Sequence, residues 1–332
     1  MILNPNILAL LVSSLLISMM ISYAACHGVL ILRRWDLADG SEQQLALERR
    51  TYLISAIVSY FLAFQLGSLF LFIRTADSIC HLFAGAMCAA GTLTVNDFGY
   101  PTLLLKVVTC ILAGLWLILN HTDNQGYDYP LIRVKYLLLL ITAPFILAET
   151  VAQGIYFLGL RPDIITSCCG ALFSQASHGI ASEMAAVPGV PAMIFFYAGM
   201  VVTWITGGRL FLIGKGGYLL AGMSGIMFVV SIISIISFIS LYVYEMPSHH
   251  CPFCLLQSEY GYVGYPLYLL LLSGTVTGLG AGLLQQFRTK ESLQRVIPAL
   301  QRNLAAVSVG SWVLFTAIVT WRILFSDFRL MS

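Results

Sequence analysis

Eight long apolar runs restrict this chain to one class of fold. They cover residues 6–32, 51–73, 101–120, 136–159, 191–208, 217–244, 265–286 and 303–325. Each is close to the roughly 20 residues that carry a helix across the hydrocarbon layer of a bilayer. In that layer every backbone N–H and C=O must be paired within the protein, which leaves helices or closed barrels. The runs are continuous rather than alternating, so they predict helices and not barrel strands. Composition agrees: 59% of the residues are hydrophobic and 10% charged, against roughly 25% charged in a soluble protein. The expected fold is an all-α membrane protein with eight transmembrane helices.

Several function classes fall away at once. No basic cluster with interleaved aromatics points to nucleic acid. No phosphate-binding loop, dinucleotide fingerprint or haem-attaching Cys-x-x-Cys-His is present. The first run ends near Ala24-Ala25-Cys26, which invites a signal-peptide or lipoprotein reading. No Lys or Arg precedes it, and Arg33-Arg34 follow it, the reverse of a secretory signal.

Basic residues give the orientation, because cytoplasmic loops carry the excess of Lys and Arg. The loops after spans 1, 3, 5 and 7 hold 12 of the 17, including Arg33, Arg34, Arg133, Lys135 and Arg209. Both termini are therefore expected outside, N-out and C-out. No large soluble domain is expected, since the longest loops, near 74–100 and 160–190, are short.

Six of the eight cysteines then fall on the outer face: Cys80 and Cys88, Cys168 and Cys169, Cys251 and Cys254. His81, His178, His249 and His250 share that side. Cys26 and Cys110 fall inside helices, as small packing residues. Thiols gathered on the oxidising side of a membrane suggest disulfides or metal. The densest chemistry is His249-His250-Cys251-Pro252-Phe253-Cys254. Its Cys-x-x-Cys can close a small disulfide or give two thiolates to a metal, and a neighbouring imidazolium would favour the thiolate.

A short repeat links two of the loops. Gly99-Tyr100-Pro101 follows Cys88, and Gly264-Tyr265-Pro266 follows Cys254, at similar spacing. Proline suits a helix's first turn, and tyrosine suits the headgroup level. Both loops join the second and third helices of a four-helix set. The chain is thus expected to form two parallel four-helix halves, 1–160 and 191–332, joined by the outer segment 161–190.

The layout resembles that of membrane thiol oxidoreductases of the DsbB and vitamin K epoxide reductase kind. They too place a Cys-x-x-Cys at a helix end and a second pair in an outer loop. The resemblance covers the layout alone: those proteins have four core helices and a Cys-x-x-Cys that starts a helix, whereas here the pair follows the sixth of eight. It implies thiol–disulfide exchange, with electrons leaving to a membrane acceptor such as a quinone. On this reading Cys80, Cys88, Cys251 and Cys254 are catalytic. A second reading makes Cys80, His81, Cys88, His249, His250, Cys251 and Cys254 a soft-ligand patch for copper, zinc or mercury. A third makes the cysteines plain structural disulfides in a transporter or complex subunit.

Glu149 stands deep in a predicted span, where a charge is costly by about 2.5–3.5 kcal/mol and marks a functional candidate. Lys106 could pair with it, and Gln153 lies one turn further along the same face. Glu149 either carries protons for the chemistry or ties helices together. The expected surroundings are the lipid bilayer, with an outer thiol protein or another membrane subunit as partner, in a bacterial inner membrane. Reporter fusions at the C-terminus are expected to be active only in their extracytoplasmic form; activity of a cytoplasm-dependent reporter there would contradict the orientation.

Overall fold

A computed structural model describes residues 4–36, 41–161, 164–166 and 180–329. Cys168, Cys169 and His178 lie outside the described residues. Among the described residues there is no strand, and eight helices are long and apolar enough to cross a membrane. They are α1 (Pro5–Arg34), α2 (Glu42–Ser78), α3 (Gly99–Asp123) and α4 (Ile132–Leu158). The others are α5 (Gly189–Ile213), α6 (Gly217–Tyr244), α7 (Gly264–Gln285) and α8 (Val296–Phe325). Each contains its predicted run almost entirely, and most extend it at one or both ends.

Local chemistry sets several ends. Asn4 caps α1 by accepting from the Asn6 N–H at 3.0 Å, with Pro5 in the first turn. Between α5 and α6, Gly214 and Gly216 take left-handed conformations, φ 72° and 102°, which a side chain would resist. Gly99 and Gly264 are the first residues of α3 and α7, so both Gly-Tyr-Pro motifs open helices.

The chain divides into two compact units. The first comprises Met1–Thr75, Val95–Arg161 and Phe287–Ile297. Here α4 packs against α1 and α3. Its core includes Ile21, Val58, Leu62, Trp116, Tyr136 and Leu139. Among the described residues, two ion pairs are buried in it. Lys106 Nζ lies 2.7 Å from Glu149 Oε1, both side chains at most 2% exposed. The other Glu149 oxygen accepts from Gln65 Nε2 at 2.6 Å and Thr109 Oγ1 at 2.5 Å. The carboxylate thus binds α2, α3 and α4 together. Gln153, one turn on, instead donates to the Leu10 carbonyl and Ser14 Oγ of α1, both at 3.0 Å.

The second pair corrects the sequence expectation for Lys135. It is not a loop cation but a buried residue of α4, 2.7 Å from Asp123 Oδ2 and 3.1 Å from Asn120 Oδ1. Asp123 also accepts the Leu131 N–H at 2.8 Å. Asp123 is a second buried acid, the last residue of α3 and outside the predicted span. Cys110 is buried in α3, whereas Cys26 is exposed on α1 and does not serve as core packing.

The second unit comprises Ala76–Thr94, Pro162–Gln286 and Pro298–Ser332. Within it α6 packs against α5 and α7. Gly278 and Gly282 of α7 permit a close approach: a methyl group there would run into Ser224 and Ala221 of α6.

Removing one partner of a buried ion pair strands the other, at a cost of about 3–5 kcal/mol. Glu149→Gln is thus expected to lower the melting temperature in detergent, and the double change Lys106→Met with Glu149→Leu to recover most of the loss. Unchanged melting of the single variant would contradict the structural part given to Glu149.

Candidate metal or thiol centre

The cysteine site lies within the second unit. Cys88 precedes the short helix Ala89–Leu93, and Cys251 and Cys254 lie between α6 and α7, Cys254 opening the 3₁₀ turn Cys254–Leu256. The three sulfurs lie within 4.8 Å of one another. Cys88 Sγ and Cys251 Sγ are 3.6 Å apart, across 163 residues of sequence. All three residues are buried, at 0%, 0% and 4% exposure.

A cage of hydrogen bonds holds the Cys-x-x-Cys backbone. Tyr244 of α6 donates its hydroxyl to the Cys251 carbonyl at 2.5 Å, and Tyr268 of α7 donates to the Pro252 carbonyl at 2.6 Å. His250 is hooked to α6 in a third way. One turn of that helix, Ile235–Ile239, is wound as a π-helix, with the Ser240 N–H reaching back to the Ile235 carbonyl. Such turns release carbonyls from the regular ladder and recur at functional sites. The Ile236 carbonyl accepts from His250 Nδ1 at 2.8 Å. Gln257 ties the other segment in, donating to the Met87 carbonyl at 2.9 Å and to Asp77 Oδ1 at 3.3 Å.

The remaining expected residues separate from this triangle. Cys80 is half-buried and outside it, and His81 is exposed. His249 is partly exposed, but its Nε2 is buried with no hydrogen-bond partner. Its ring stands edge-on to Tyr244, centroids 4.6 Å apart. Burial holds the His249 imidazole below its ordinary pKa; the adjacent Cys88 pulls it up and His250 pushes it down. Glu149 belongs to the first unit, where its carboxylate is engaged as described.

Sequence reasoning missed Tyr244, Tyr268, Gln257 and the π turn. Tyr268 had a faint signal, lying two residues beyond Pro266 at the start of α7. The π turn had none, because Ile235-Ile236-Ser237-Phe238-Ile239 differs little from the rest of the run.

Chemically, three converging thiols in a dry pocket can share a metal ion or exchange a disulfide. The chain matches no known protein-family profile, no curated protein and no solved structure.

Gly264 presses on the site from α7. A Cβ there would lie 2.9 Å from the Leu255 carbonyl carbon and from Leu256 Cδ2. Gly264→Ala is expected to displace the Cys254 turn and speed alkylation of Cys251 and Cys254 several-fold in detergent. Alkylation at the parent rate would mean that the turn does not depend on this contact.

Proposed function

We propose that this integral membrane protein holds a soft metal ion of the zinc or copper class on three thiolates, Cys88, Cys251 and Cys254. The observation that carries the proposal is the sulfur geometry. Two thiolates sharing a tetrahedral zinc at about 2.3 Å stand about 3.8 Å apart, whereas a disulfide closes to about 2.05 Å. The 3.6 Å between the Cys88 and Cys251 sulfurs, which is also the contact distance of two thiols, is close to that spacing. Burial suits it too, since an ion neutralises thiolate charge that a dry pocket would otherwise disfavour. The centre would serve metal binding, or handover to or from a partner subunit. Glu149 is given a structural part in this proposal.

The same contact favours a second reading, thiol–disulfide exchange. A Cys88 thiolate could attack Cys251 of a Cys251–Cys254 disulfide, forming Cys88–Cys251 and releasing the Cys254 thiolate. A quinone acceptor and an outer thiol protein belong to that reading, as do catalytic parts for Cys80 and Glu149. The outward orientation, the paired halves 1–160 and 191–332, and a bacterial inner membrane stay with the proposal. Gly-Tyr-Pro opening both α3 and α7 supports the pairing.

Metal analysis with thiol counting on the purified protein separates the two. About one zinc or copper per chain is expected, with three further thiols becoming alkylatable after chelation, and with metal lost in Cys88→Ser. A metal-free protein yielding a Cys251–Cys254 or Cys88–Cys251 disulfide would overturn the metal centre in favour of exchange.

A further inference from the structure

We propose that His249 completes the site through Nε2, making it a three-cysteine, one-histidine centre for a divalent ion of the zinc class. This rests on the metal centre proposed above and adds its fourth ligand and the charge of its ion.

The unsatisfied nitrogen is the starting point. A buried polar atom without a partner is uncommon and costly, and each instance in a folded protein calls for a reason. His249 Nε2 is such an atom, two residues before Cys251 and on the same segment; it stands outside the 4.8 Å sulfur triangle, so on this proposal the ring swings towards the sulfurs when the ion binds. The Tyr244 ring steadies the imidazole edge-on, and the same tyrosine's hydroxyl fixes the Cys251 carbonyl. One side chain therefore holds the histidine ring and the Cys251 backbone against each other. His250 is committed differently, its Nδ1 bound to the Ile236 carbonyl. We assign it as a positioning residue that fastens the segment to the π turn.

Charge selects the ion. Three thiolates leave a net charge of −2 around a monovalent ion and −1 around a divalent one. In a pocket whose three cysteines are at most 4% exposed, the smaller residual charge is favoured. A neutral imidazole adds a fourth ligand without adding charge, and four ligands in a tetrahedron is the usual closed arrangement for zinc. Copper(I) on three sulfurs alone needs no histidine.

The test loads the full-length protein in detergent with zinc and reads the metal's neighbours by X-ray absorption. Three sulfurs and one imidazole nitrogen are expected. His249→Ala should remove the imidazole signal and weaken zinc by more than about 100-fold, beyond the 10–100-fold typical of losing an outer partner. His250→Ala should keep the imidazole and stay within that smaller range. His249→Cys should restore tight binding with four sulfurs, which guards against a variant that merely fails to fold. Zinc held by three sulfurs with no imidazole, or an imidazole persisting in His249→Ala, overturns the assignment while leaving the thiolate centre standing. No zinc on the three sulfurs at all would instead sink the underlying reading.

Discussion

Inside a bilayer a polar side chain has no water to turn to, so its partners must come from the protein itself. That constraint shapes both units of this chain. In the first, Glu149 and Asp123 each gather donors from neighbouring segments, and the lysines that balance them, Lys106 and Lys135, are as deeply buried as the acids. These contacts specify which helix faces meet, because an apolar face alone could slide or rotate against lipid-like neighbours. In the second unit the thiols, His250 and two tyrosine hydroxyls meet the same requirement at the ends of α6 and α7.

The helices were legible in the sequence because apolar length is a direct physical demand of the membrane. Their ends were less so. Asp123 and Lys135 read as loop residues, since each is polar and lies just outside an apolar run. Their burial rests on the ion pair between them, backed by Asn120 and the Leu131 N–H, which no local pattern carries. The pairing of Lys106 with Glu149 could be anticipated because both charges lie within runs where a lone charge would be costly.

The site was legible in its ingredients and not in its selection. The Cys-x-x-Cys, the histidines and the first-loop cysteines all stood out. Which of them converge depends on how two loops fold back, through Gln257 holding the Met87 carbonyl and Gly264 leaving room for the Cys254 turn. Cys88 joins the triangle, whereas Cys80, eight residues earlier, does not. The π turn is a further instance: its Ile236 carbonyl binds His250, yet its residues resemble the rest of the apolar run.

The account depends on Cys88 reaching Cys251 across the intervening sequence. The most direct measurement is oxidative trapping in a Cys254→Ser variant, followed by proteolysis and mass spectrometry. With Cys254 removed, mild oxidation should yield a linked peptide joining Cys88 to Cys251, whose sulfurs need to close from 3.6 Å to bonding distance. Recovery of Cys251 joined chiefly to Cys80, or left as a thiol while Cys88 pairs with Cys80, would contradict the convergence on which the site rests.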